Sequence, residues 1–234
     1  MEHVRAAIEA RTLPLQVKFA PSLAHWFVLD SLHLANEANR AGMHANALAL
    51  TRQCIEAFSV IELGICAHPG AADMLHKWWD DTITAGQLRR WLSEQVWSQY
   101  GSGLWHEPWS DFMANLASAV QAYAHYTSKL SQWQLRFLGG PPGQMANHVI
   151  EIKPRAYDAQ KATRISLYHG ILTYALGRMV LATQSQIDDE FRALITRLGK
   201  ALGESRYLDG HRTDWPQQFW AMTWSGETGS PILE

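Results

Sequence analysis

Apolar residues recur at three- and four-residue intervals over most of this chain, and prolines and glycines cut that periodicity into segments. Pro21-Ser22 opens a first helix that runs to about Arg40, where Ala41-Gly42 ends it. The second, about 44–67, aligns Leu48, Cys54/Ile55, Phe58, Ile61 and Ile65 on one stripe and stops before His68-Pro69. A short third helix covers about 71–81. Thr84-x-x-Gln87 reads as a capping box that starts a fourth, running to about Tyr100. After the loop Gly101-Ser-Gly-Leu-Trp-His-Glu-Pro108, a fifth helix over about 109–138 stacks Phe112, Leu116, Val120, Tyr123, Thr127 and Leu130.

Gly139-Gly-Pro-Pro-Gly143 is the strongest breaker and sets a subdomain break near 139–157. Residues 147–152 (NHVIEI) have strand character, but one strand makes no sheet. A sixth helix spans about 158–183. Ser185-x-x-Asp188 caps a seventh, with Ile187, Phe191, Leu194, Leu198 and Leu202 as its stripe. The expected fold is all-α: one bundle over 1–203 of about six or seven helices, several of them long. An irregular tail over 204–234 follows, holding Trp215, Phe219, Trp220 and Trp224.

Composition narrows the function class. The chain has 234 residues, 47% apolar and 18% charged, with a formal net charge of −2. That length supports a full hydrophobic core, and the charge balance excludes a histone-like or polybasic coat. No apolar run reaches a membrane span, since Arg178 breaks the best candidate, 170–182. The first residues lack the apolar region of a secretory signal, so a cytoplasmic protein without membrane attachment is expected. Cys54 and Cys66 share one helix about 18 Å apart, too far for a disulfide.

Eleven tryptophans are a heavy load, six of them within 78–109. Packing accounts for that cluster, because Arg89 and Arg90 are outweighed there by Asp80, Asp81, Glu94 and Glu107. The tail tryptophans fit a docking role better. Positive charge collects over 129–164, a local balance of +4, with Lys153, Arg155 and Lys161 as the residues a phosphate backbone would meet.

Three constellations carry candidate chemistry. Asp30-x-x-His33 with Glu37, and Asp73-x-x-His76, place acids and imidazoles on single helical faces; with Glu56 and Glu62 they sketch a metal-binding bundle. Aspartate reaches a bridging metal poorly, however, so no metal or other cofactor is assigned. Arg52 and Glu56 lie one turn apart in an apolar helix, and His125 could meet them if its face forms a polar seam. Arg164 and His169 open the sixth helix about 140° apart around it, flanking a site, while Gly170 and Gly177 permit a close helix crossing or a dimer seam.

An all-helical chain with Arg164-x4-His169 opening a late helix, and with A-L-x-x-Arg52-x-x-x-Glu56-A in its second, resembles the HEPN superfamily and the helical proteins of phage-defence and abortive-infection systems. The resemblance implies a metal-independent ribonuclease of a toxin or defence system, its site at a homodimer seam. Arg164 would hold phosphate and His169 would act as acid and base at the 2′-hydroxyl. Arg52, Glu56 and His125 form the second choice of catalytic set. Many members of that superfamily are inactive antitoxins, sensors or scaffolds, so a non-catalytic subunit that binds a partner protein is the alternative.

Overall fold

A computed structural model describes residues 2–139, 149–183 and 188–205. The chain is all-α, as its periodicity predicts: nine helices and one two-stranded ribbon lie among the described residues. No helix there is long and apolar enough to cross a membrane.

The N-terminal part departs from expectation. A helix α1, Glu2–Glu9, precedes the first expected one, and α2 spans Leu15–Arg40 rather than opening at Pro21. Pro14 is the N-cap, its carbonyl accepting from Val17 and Lys18 at 3.1 and 3.0 Å. Pro21 therefore sits inside the helix, where its ring removes one backbone bond. The opposing helix makes room for it: a Cβ added at Gly64 would stand 2.3 Å from the Pro21 Cβ.

α2 ends in a Schellman turn. Gly42 takes φ +75°, and Met43 N donates to Ala38 O at 2.8 Å. The chain reverses directly into α3, His44–Ile65, which packs along most of α2 and is buried over nearly its whole length. α4 covers Ala71–Trp79. α5, Ala85–Gln95, opens with the expected capping box: Gln87 N donates to Thr84 Oγ1 at 3.3 Å, and Thr84 N to Gln87 Oε1 at 2.7 Å. It stops short of Tyr100 because Trp97, in a 3-10 turn over Trp97–Gln99, swings inward.

The long fifth helix divides. α6 spans only Trp109–Gln121, and a short α7 covers Ser128–Gln132. Thr127, placed by its spacing on a helical stripe, is instead the N-cap of α7: its hydroxyl donates to Ala122 O at 3.0 Å and accepts from Leu130 N at 3.3 Å. Trp133 folds back and donates to Tyr123 Oη at 3.2 Å. The lone strand finds a partner. β1, Leu135–Gly139, pairs antiparallel with β2, Val149–Ile152, in the register Leu135↔Ile152.

α8, Ala159–Thr183, lies against α3, and α9, Asp189–Gly203, lies against α8. The α8–α9 approach is close: a Cβ at Gly177 would stand 2.3 Å from Ile195 Cδ1, and one at Gly199 2.6 Å from Tyr174 Cε2. Asp188 caps α9 by accepting from Glu190 N at 2.9 Å. Ile195 rather than Leu194 turns inward and is buried together with Leu202 of the expected stripe. One apolar cluster runs from Val4 to Leu202. Ser185, Ile187 and the tail tryptophans at 215, 220 and 224 lie outside the described residues.

Candidate functional site

The α3–α8 seam brings His169 against Thr51. Thr51 Oγ1 donates its proton to Ala47 O at 2.7 Å, so at its 2.7 Å contact with His169 Nε2 it accepts. That arrangement suits the tautomer with the proton on Nε2. Burial pushes the His169 pKa down to about 4, which leaves the ring neutral at pH 7. Arg164, one and a half turns earlier, is 2% exposed and sits inside the bundle. Neither group presents a charged surface to solvent in a single chain.

Arg52 and Glu56 do meet, with Nη2 and Oε1 2.7 Å apart. The third member of that set does not join them. α6 ends at Gln121, whose Oε1 accepts from Arg52 Nη2 at 3.0 Å. His125 lies exposed in the turn beyond. Arg89, from α5, also approaches this pair; burial, then Arg52, lowers its pKa, and Glu56 partly offsets both.

The basic stretch separates into two kinds of residue. Lys153 and Arg155 are exposed, Lys153 paired with Glu151 at 2.8 Å. Lys161 is buried instead. Its ammonium donates to the carbonyls of Trp133 and Leu135 and lies 5.8 Å from the Trp133 ring centroid, so it ties α8 to the start of the ribbon. Burial lowers its pKa.

A second tie passes unannounced by any motif. His44 Nδ1 contacts Asn39 Oδ1 at 2.8 Å while its Nε2 accepts from Asp158 N at 3.0 Å. Asn39 Nδ2 in turn donates to Ala162 O at 2.9 Å. The His44 pKa is held down to about 4, first by burial and then by Lys161.

The acids and imidazoles of the metal sketch stay apart. Asp30, His33 and Glu37 are exposed on α2, and Asp73 pairs with Lys77 at 2.7 Å. Glu62 is fully buried, accepts from Trp97 Nε1 at 2.8 Å, and is pushed up to about 8 by burial. Among the described residues no three His, Cys, Asp or Glu side chains gather as metal ligands.

The largest unexplained feature is apolar. Leu15, Phe19, Leu23, Trp26, Phe27 and Leu34 of α2 are each 42–70% exposed. The opposite side of α2, with Val17, Ala20, Ala24, Val28 and Ala35, is the buried one. Beside the outer stripe lies a groove of about 410 Å³ lined by Leu23, Phe27, Val60, Trp78 and Trp79. The sequence carried this signal as a helix apolar on two faces. No family model, curated protein or solved structure matches the chain significantly.

Proposed function

We propose that the chain is a non-catalytic helical interaction module that pairs with a second copy of itself through the outer face of α2. The observation that carries this reading is the stripe from Leu15 to Leu34. Six large apolar residues about half exposed leave on the order of 600 Å² of apolar surface, at the upper limit of what a lone monomer shows. It also approaches the ~800 Å² that each partner of a stable complex contributes.

The stripe is self-complementary. An antiparallel pairing about a two-fold axis between Trp26 and Phe27 sets these two residues against each other and Phe19 against Leu34. Leu23 falls across from Asp30, at the edge of the groove that can take a partner's indole.

Sedimentation equilibrium tests the reading. Wild type is expected at twice the 26.4 kDa chain mass, and Phe19→Glu/Trp26→Glu at 26.4 kDa with its helical circular dichroism unchanged. A monomeric wild type, or a variant that still dimerises, overturns it.

The ribonuclease reading asks Arg164 to reach a phosphate and His169 to exchange protons near neutrality, against the burial of the first and the lowered pKa of the second. Incubation with cellular RNA in excess EDTA is expected to leave the RNA intact. Cleavage lost in Arg164→Ala/His169→Ala would reinstate that reading.

A further inference from the structure

A second concavity, independent of the α2 face, opens between the 99–106 segment, the C-terminal half of α8 and one side of α9, with a volume of about 760 Å³. That is the size of a small-molecule site. We propose that it binds a small molecule joining a flat ring to an anionic group, the class of a nucleoside monophosphate.

Its floor is Arg178. The guanidinium lies 5.8 Å from the ring centroids of both Trp109 and Tyr174. Nη1 donates to Tyr174 Oη at 2.9 Å and Nη2 to Tyr100 O at 3.1 Å. Two bonds and two rings hold the fork in place while further N–H donors remain for a ligand, so an anion would be met by a charge already oriented. Across the cleft, Arg192 and Lys200 stand on the same side of α9, eight residues or about 12 Å apart. Glu204 at the rim is largely exposed and 4.0 Å from Lys200, so the lining is net positive.

The third wall supplies the ring surface. Trp105 sits on a loop that is fixed from within: Glu107 Oε2 accepts from Trp105 N at 2.7 Å, and Glu107 O from Gly103 N at 2.7 Å. Trp109 N closes the loop on Gly101 O at 3.1 Å. His106 is held at φ +69°, a conformation uncommon for a residue with a side chain. A Cβ on Gly103 would stand 2.6 Å from Phe112 Cβ, so the loop is seated directly on α6. An indole on a braced loop and a fixed guanidinium lining the same cleft suit a flat ring that carries a negative charge.

Isothermal titration of the full chain with adenosine monophosphate, adenosine and inorganic phosphate tests the assignment. The nucleotide is expected to bind saturably, and adenosine and phosphate each at least about tenfold more weakly. Arg192→Ala/Lys200→Ala, at exposed positions, is expected to weaken the nucleotide about tenfold or more with unchanged circular dichroism. No saturable nucleotide binding, equal binding by the variant, or phosphate binding as tightly as the nucleotide would overturn it.

Discussion

Glu62 is fully buried on α3 with the Trp97 N–H as a hydrogen-bond donor and the Tyr100 hydroxyl beside it, and burial raises its carboxyl to about 8 from an ordinary 4.5. The folded chain therefore holds a proton that the unfolded chain releases, and stability falls as pH rises from about 4.5 toward 8. Glu62→Gln keeps an acceptor for Trp97 and removes the ionisation. Urea denaturation at pH 8 is expected to show the variant more stable than wild type by on the order of 4 kcal/mol, the gap closing near pH 4.5. An equal gap at both pH values would show that Glu62 is not the titrating group.

His44 and His169 act in the opposite direction. Both are held near 4 against an ordinary 6.5, so the stability their neutral forms provide is complete above pH 6.5 and is lost as pH falls toward 4. Proton NMR is expected to find both rings neutral until the pH nears 4; titration of His169 near 6.5 would restore it as an acid–base candidate. The sequence offered residue types here without their surroundings. Arg52 and Glu56 were legible as a pair because i,i+4 spacing on a helix dictates it. The exclusion of His125 was not, since it follows from where α6 stops. Nor did charge counting distinguish buried Lys161 from exposed Lys153, because burial depends on which helix face meets a neighbour.

At the scale of elements, helix identity was written in the periodicity, and boundaries failed where a side chain made a tertiary choice. Pro21 is a strong start signal that the chain overrides by giving it Gly64 as a neighbour. Gly64→Ala is expected to cost about 1–3 kcal/mol through overpacking, and Pro21→Ala in the same chain to recover most of that loss. Additive effects of the two substitutions in thermal or urea unfolding would show that the contact does not set the cost. Thr127 and Trp133 break the fifth helix in the same way, one by capping α7 and the other by returning to Tyr123. The strand over 149–152 had a legible half. Its partner, 135–139, was hidden inside what the spacing of Leu130 and its predecessors extended as helix.

For the whole molecule, the all-α class followed from the segment lengths, whereas the outward stripe on α2 emerges only once the other face of that helix is seen to be the buried one. Among the described residues, α2 therefore carries a row of large apolar side chains that the core does not use. Two copies can cover it by the same contact made twice. Antiparallel pairing about the Trp26/Phe27 midpoint has a sharp geometric consequence. Position 19 of one copy lies beside position 34 of the other, while the two copies of position 19 are about 22 Å apart along the helix.

Oxidation of an equimolar mixture of Phe19→Cys and Leu34→Cys chains measures this directly. The native thiols do not compete, because burial pushes Cys54 and Cys66 up to about 12 and about 11. The covalent dimer is expected to be the mixed 19–34 species, with little self-linked product of either chain. Predominant 19–19 and 34–34 dimers, or no covalent dimer at all, would contradict it.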